Sequence, residues 1–339
     1  MRVALDVMGG DRSSKELVAG ALDAVKKGSA EVLLVGDSSR VEQDIDALSP
    51  AADIMRKVHV VHASEVVGMD ENPAQAIRRK KDASVLVAFE QVLAGEACAA
   101  VSAGNSGATM AAAIRKLGRL PGVLRPGITS VFPTLKKPAV LMDIGANVDC
   151  KPQHLLQFAI MAAAYSRITG LENPRVGLLT IGEESGKGNN LVKETYPLLA
   201  ASSLNFIGNV EGRDIYQGDV DVVVCDGFVG NICLKISEGL AEVSMKMLRH
   251  EIRSSFLRRL GGLLVYPAFK AFKKRVDYAE YGGAPLLGVD GVGIVCHGKS
   301  NSHAIKNALL QAAAMAEGNI SKKIQESLEL NSSHREIET

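Results

Sequence analysis

The sequence predicts an α/β protein whose sheet is mostly parallel and covered by helices on both faces. Three observations predict it. Short β-branched apolar runs alternate with longer helical stretches along the chain, the order that a parallel sheet with crossover helices produces. Five of those runs stop at short turns rich in Gly, Asp, Asn, Ser or Lys, at residues 6–11, 102–107, 143–149, 182–188 and 226–231. With 339 residues, 47% of them hydrophobic, and no visible linker, the chain has material for one large unit or two closely joined lobes.

Residues 1–6 read as the first strand, because the apolar run is too short for a signal peptide. Further buried strands are expected at 32–35, 58–61, 99–102, 128–132, 139–142, 176–181, 221–225 and 292–296. Helices are expected between them at 15–26, 73–93, 106–117, 152–168, 190–200, 230–249 and 303–324. Residues 1–326 form a single α/β domain in this reading, and no repeat of fixed period is present. The polar, aperiodic stretch 327–339 is expected to fray as a flexible tail.

Charge and cysteine content narrow the function classes. Lys and Arg number 39 against 38 Asp and Glu, so no global field draws nucleic acid, and the absence of Trp weakens base stacking further. The five cysteines, Cys98, Cys150, Cys225, Cys233 and Cys296, show no C-x-x-C spacing and sit in or beside apolar runs. They read as reduced, buried thiols of a cytoplasmic protein.

Turns at the carboxyl ends of parallel strands are where open α/β sheets bind ligands, since Gly admits close approach and the next helix opens with free N–H groups. A small anion is the expected ligand, and the five turns are expected to converge on one cleft. The sharpest chemistry lies in 182–188. A nucleotide P-loop needs four residues between its first Gly and Gly-Lys and a following Ser or Thr, whereas here three intervene and Gly188 follows Lys187. A simpler phosphate cradle fits: Lys187 supplies charge, while Gly186, Gly188 and the helix after them supply N–H donors. A solvated surface loop is the plainer alternative.

The other turns carry similar alternatives. Residues 102–109 open a helix with capping residues and two glycines, a donor nest that also serves as ordinary structure. Asp143, Asn147 and Asp149 lie between a strand and a helix, placed to orient a lysine or substrate, or to form an Asx turn. Asp226 is a base, a phosphate-site orienter or a turn former. No His-x-x-x-His pair or His/Cys ligand set appears among the seven histidines, so neither a metal nor a cofactor is expected. Cys150 and Cys225 qualify as nucleophiles by position alone, and packing is the expected role.

A separate signal lies at 252–276, where Arg253, Arg258, Arg259, Lys270, Lys273, Lys274 and Arg275 stand without an acid among Phe256, Leu260, Leu264, Phe269 and Phe272. The uncharged core is far shorter than the ~20 residues that span a bilayer. Gly261, Gly262 and Pro267 are expected to divide the stretch into two short amphipathic helices suited to an anionic membrane surface. Dimer-interface helices with a solvated basic face are the alternative.

The ordered blocks Asp6-x-Met-Gly-Gly-Asp11, Ser102-Ala-Gly-Asn-Ser-Gly107, Gly145-Ala-Asn-Val-Asp149, Gly182-Glu-Glu, Lys187-Gly188, Cys225-Asp-Gly-Phe-x-Gly-Asn231 and His297-Gly-x-Ser-Asn301 resemble the phosphate acyltransferases of bacterial phospholipid synthesis, the PlsX family. The resemblance runs to about residue 324. It implies a Rossmann-like α/β/α sandwich related to phosphotransacetylases and isocitrate dehydrogenases. It implies transfer of a fatty acyl group from acyl carrier protein to inorganic phosphate, supplying acyl phosphate to a membrane glycerol-3-phosphate acyltransferase, by a homodimer held peripherally at the membrane. Ser106 stands where Thr is typical, and Thr180 where Asn is typical; Thr180 cannot reproduce an amide's donor and acceptor pair.

Such a reaction needs a dianion site, oxyanion donors and a thioester channel, but neither a metal nor a cysteine. Lys187 and the N–H groups of Gly188, Ser106 and Gly107 are the expected phosphate ligands. Asn105, Asn147 and Asn231 are expected to donate hydrogen bonds, with Asp226 or Asp149 orienting Lys187. Gly9, Gly10, Asp11, Gly104, Gly186, Gly227 and His297 complete the expected substrate-binding set. The rivals are an acyl-CoA:phosphate transferase of phosphotransacetylase type, a nicotinamide-dependent dehydrogenase, disfavoured because Gly9-Gly10 lacks the G-x-G-x-x-G spacing, and a non-catalytic lipid- or carrier-binding module.

Overall fold

A computed structural model describes residues 1–28, 30–276 and 278–337. The strands are β1 (Arg2–Asp6), β2 (Glu31–Gly36), β3 (Val58–His62), β4 (Ala99–Ser102), β5 (Gly127–Phe132), β6 (Ala139–Met142), β7 (Arg175–Leu179), β8 (Asn205–Val210), β9 (Val222–Val224), β10 (Ala284–Leu287) and β11 (Gly293–Val295). The helices are α1 (Ser14–Lys26), α2 (Ser38–Leu48), α3 (Ala52–Met55), α4 (Pro73–Arg79), α5 (Ser84–Leu93), α6 (Ser106–Leu117), α7 (Pro152–Ile168), α8 (Asn190–Ala200), α9 (Gly227–Arg253), α10 (Phe256–Val276), α11 (Ser302–Glu317) and α12 (Ile320–Ile337).

The strands form one 11-stranded sheet in the order β3-β2-β1-β4-β11-β10-β5-β6-β9-β7-β8. Pairing is parallel everywhere except through β10 and the β5–β6 pair. Its inner strands are buried throughout, as in β4 and β6, so the apolar runs lack polar alternation. Two apolar clusters, one centred on Phe158 and one on Phe89, cover the two faces.

The antiparallel pairings through β10 and β5–β6 have a consequence for the turns. β1, β4 and β11 run one way, and β6, β9 and β7 run the other. The expected single convergence of five turns therefore becomes two groups, one at the carboxyl ends of each set.

Three local expectations are corrected. The stretch 252–276 does not divide at Gly261, Gly262 and Pro267: its first two residues end α9, the chain bends at Ser254 and Ser255, and α10 (Phe256–Val276) runs unbroken through the glycines and the proline. The Gly pair is where α10 meets α9, since a Cβ on Gly262 would strike the Ile252 side chain at 2.6 Å. The helix expected at 73–93 is two, α4 and α5, separated by a turn in which Glu65 pairs with Ala83. The segment expected to fray is helical through Ile337, and Asn331 is buried, accepting a hydrogen bond from the Ser203 amide at 3.1 Å.

Candidate active site

The first group of turns is organised by a buried carboxylate. Asp6, at the end of β1, accepts the amides of Met8 and Gly9 at 3.1 Å each, and Ser102 at the end of β4 donates its hydroxyl to the other oxygen at 2.8 Å. The Gly104 amide then donates to the Ser102 hydroxyl at 3.1 Å. Gly9 and Gly104 are so close that a Cβ on Gly9 would lie 2.9 Å from the Gly104 Cα. Gly10 has φ +103°, the left-handed region open to glycine. The Asp11 amide donates to the Gly298 carbonyl at 2.8 Å, and His297 Nδ1 accepts the Lys299 amide at 3.1 Å, which adds the turn after β11 to this group.

Asn105 works structurally here. Its Oδ1 caps α6 at the Ala108 amide, and its Nδ2 donates to the carbonyls of Met69 and Glu71. Ser106 is exposed at the helix start.

The second group repeats the device. Asp143, fully buried after β6, accepts the amides of Ile128, Gly145 and Ala146 on one oxygen and both the amide and side chain of Asn147 on the other. Every partner of the carboxylate is a donor, yet burial outweighs them and holds the carboxyl above its ordinary range. The Gly227 amide donates to the Asn147 carbonyl at 2.7 Å, and a Cβ on Gly230 would collide with the Asp143 carbonyl, so α9 starts hard against this turn.

Asp226 caps α9 by accepting the amides of Phe228 and Val229 at 3.0 Å. Asn231, one turn further on, is exposed close to Gly145, and among the described residues its side-chain amide has no hydrogen-bond partner. Asp149 is exposed.

The loop after β7 carries Lys187. Strand adjacency puts it on the same sheet edge as the turns after β6 and β9. Gly188 has φ +100°, and a Cβ there would strike Thr180 Oγ1 and Val192 at 2.7 Å. Lys187 is half exposed, and its ion pair is with Glu184 at 4.0 Å, so neither Asp226 nor Asp149 takes the orienting place expected for it. Gly186 is exposed with open space around it.

Sequence reasoning missed Asn209, which is buried on β8 and donates to the Glu184 carbonyl at 2.8 Å; it gave Asp6 and Ser102 no role of their own, and it read Asp143 as an orienter of lysine or substrate or an Asx-turn former, of which the structure shows the turn former. The signal for the last three was an acid or serine at a strand end followed by glycine, the Asx-turn pattern.

The cysteines are inert by environment. Burial pushes the Cys150 thiol up to about 11, that of Cys296 up to about 12, and that of Cys225 well above its ordinary value. Among the described residues, no group of three or more His, Cys, Asp or Glu is placed to hold a metal ion.

Residues 1–323 match the family model described as fatty acid synthesis protein. The chain belongs to that family. Curated relatives named phosphate acyltransferase include one from Nitratidesulfovibrio vulgaris, 54% identical over 328 residues and covering 96% of this chain and 94% of that one. Another, from Geotalea uraniireducens, is 54% identical over 333 residues, covering 98% and 95%. Among solved structures, a phosphotransacetylase from Staphylococcus aureus superposes with TM-score 0.63 at 17% identity, covering 93% of this chain and 94% of that one. A 4-hydroxythreonine-4-phosphate dehydrogenase from Klebsiella pneumoniae gives TM-score 0.54 at 14% identity, with 93% and 99% covered. At those identities the likeness speaks for the fold, so members of the fatty acid synthesis family share an architecture that also carries dehydrogenases.

Proposed function

We propose that this protein transfers a fatty acyl group from the thioester of acyl carrier protein to inorganic phosphate, releasing acyl phosphate. The observation that carries the reading is the second turn group, where Lys187, Asn231 and the start of α9 lie on one sheet edge in a family whose curated members are named phosphate acyltransferase.

In this reading Lys187 and the amides of the 182–188 loop hold phosphate. Asn231 supports the oxyanion that forms when a phosphate oxygen attacks the thioester carbonyl, and the thiol leaves with a proton. Asn147 and Asp226 act beneath them: one ties Asp143 to the Pro126 carbonyl and the other caps α9. The first group, with Gly9, Gly10, Asp11, Gly104, Ser106, Gly107 and His297, lines the thioester side. Asn105 shapes that wall through its bonds to Met69 and Glu71.

The homodimer and the membrane surface belong to the same proposal. Beyond its start α9 buries almost nothing, and Phe228, Ile232, Ile236, Leu240, Val243 and Met247 form an exposed apolar stripe at helical spacing. A second copy covers that stripe. On α10, Phe256, Leu260, Leu264 and Phe272 are exposed among the basic residues, with Phe269 half-buried, and an anionic lipid surface suits the helix tip. No helix among the described residues is long and apolar enough to cross a membrane. A cytoplasmic enzyme resting at the membrane would pass its amphiphilic product to a membrane acyltransferase.

Replacing Lys187 with Met tests the assignment: the phosphate requirement rises and turnover falls by ~10² or more, the scale for one preorganised charge. Unchanged kinetics would remove the 182–188 loop from the site.

A further inference from the structure

We propose that a basic ridge at Arg78, Arg79 and Lys81, with the pocket beside it, is the docking surface for the acidic carrier protein that presents the thioester. The inference rests on the acyl-transfer reading above and adds where the donor binds.

The ridge is a run of four basic residues, Arg78-Arg79-Lys80-Lys81, at the end of α4. Lys80 is engaged locally, donating to the Val66 carbonyl at 2.6 Å and the Glu71 carboxylate at 2.5 Å. Arg78, Arg79 and Lys81 are exposed, and their side chains have no ion pair or hydrogen bond among the described residues.

Of the neighbouring acids Glu71 is neutralised by Lys80, while the carboxylates of Asp82, Glu65 and Asp70 bond to no cation among the described residues. The ridge therefore keeps a cationic excess only once Arg115 is counted with Arg78, Arg79 and Lys81. Glu71 also takes the Gly68 amide, Asp82 takes the amide and hydroxyl of Ser64, and Glu65 takes the Asp82 amide. Arg115 of α6 adds a further cation, donating to the Ile77 carbonyl at 2.5 Å. The result is a local positive face on a chain whose formal net charge is only +1.

Placement ties that face to the first turn group. Asn105 holds the carbonyls of Met69 and Glu71, and a Cβ on Gly107 would touch the Pro73 ring at 2.7 Å. Residues 69–73 therefore wall the group, and α4 covers the roughly 10 Å from there to the ridge. Between them lies a shallow pocket of about 280 Å³ lined by Glu71, Asn72, Gln75, Ala76, Arg79 and Lys80. Beside the Lys80–Glu71 pair, its remaining donors, the side-chain amides of Asn72 and Gln75 and the Arg79 guanidinium, suit a phosphodiester, the group that links a carrier's arm to its protein.

The chemistry favours an acidic protein over the other anionic surfaces. No aromatic residue occurs from 63 to 88, so the ridge has neither the stacking groups a nucleic acid uses nor the apolar wedge a bilayer takes, which α10 does offer. Exposed rim charges of this kind act on encounter rate and salt dependence.

The test measures binding of the holo carrier protein to the full-length protein by fluorescence anisotropy, alongside kinetics. Combined reversal R78E, R79E and K81E should weaken carrier binding about tenfold or more and flatten its salt dependence, with the KM for phosphate unchanged. Reversal of Arg258 and Arg259 on α10 should change carrier binding by less than about twofold. Wild-type carrier affinity in the ridge variant, or loss confined to the α10 variant, overturns the proposal. Thermal melting of both variants guards against a folding defect, and single reversals R78E and K81E replace the triple variant should it unfold. A wild-type protein that binds carrier yet forms no acyl phosphate would refute the transfer reading and leave the docking surface standing.

Discussion

The side-chain amide of Asn209 donates to the Glu184 carbonyl at 2.8 Å, tying β8 to the loop that carries Lys187. The tie depends on a register shift: Val176 pairs with Phe206 but Gly177 with Gly208, so Ile207 is the extra residue of a bulge and every later side chain on β8 changes face. Asn209 is thereby buried beneath the loop rather than exposed like Ile207. Asn209→Leu keeps the volume and removes the donor. It should raise the KM for phosphate roughly five- to tenfold, the worth of one hydrogen bond, with a smaller change in kcat. Steady-state kinetics with varied phosphate checks this, and a pure loss of kcat would assign Asn209 another part.

Arg175 and Asp221 pair at 2.9 Å where β7 leaves its turn, and the Arg175 amide donates to the same carboxylate. Burial pushes Asp221 up, but these donors outweigh it and hold the carboxyl below its ordinary range. A depressed folded pKa gives stability that is present above the unfolded pKa, near 4, and is lost as pH falls through the folded value. Asp221→Asn should therefore cost about 1.5–3 kcal/mol at pH 7 and progressively less below pH 4. Denaturant melts at both pH values decide it, and a difference independent of pH would contradict the assignment.

Cysteine chemistry gives a negative control with a sharp expectation. With its thiol pushed up to about 11 by burial and the nearby Asp143 charge, Cys150 is almost wholly protonated at neutral pH. Cys150→Ser should keep turnover within about threefold, and iodoacetamide near neutral pH should inactivate the enzyme slowly. Rapid inactivation protected by acyl thioester would restore a covalent mechanism.

The exposed α9 stripe makes the oligomeric state measurable. Leu240 is 66% exposed and Ile236 64%, and the dimer proposed above would bury both. Ile236→Glu with Leu240→Glu should shift sedimentation from dimer to monomer. A wild-type protein that sediments as a monomer would leave the stripe for another partner.

Much of this architecture was legible in the chain, and what was not has identifiable causes. Helices α7 and α8 and strands β4 and β6 follow the expected bounds because their periodicity and flanking Pro, Asn and Gly agree. β10 and β8 carry weak signals: Pro285 and Asn205 are poor strand residues, and Gly208 marks a bulge rather than a strand interior. Strands β5 and β6 were both expected, but their antiparallel pairing was not legible, and that pairing reverses the strand direction and divides the turns into two groups. Asn105 and Asp226 were visible as polar groups beside glycines, but their use as helix caps is settled by backbone amides that no local pattern weighs against a ligand. On α10 the Gly pair and Pro267 suggested a break, whereas packing of Gly262 on Ile252 stabilises a continuous helix.

The most direct test of the central claim supplies the protein with a long-chain acyl carrier protein thioester and isotopically labelled inorganic phosphate, and follows the label. Acyl transfer to phosphate predicts labelled acyl phosphate in step with release of free carrier thiol, strongly reduced in Lys187→Met. Thiol release without labelled acyl phosphate, or equal labelling in the Lys187→Met variant, would contradict the account.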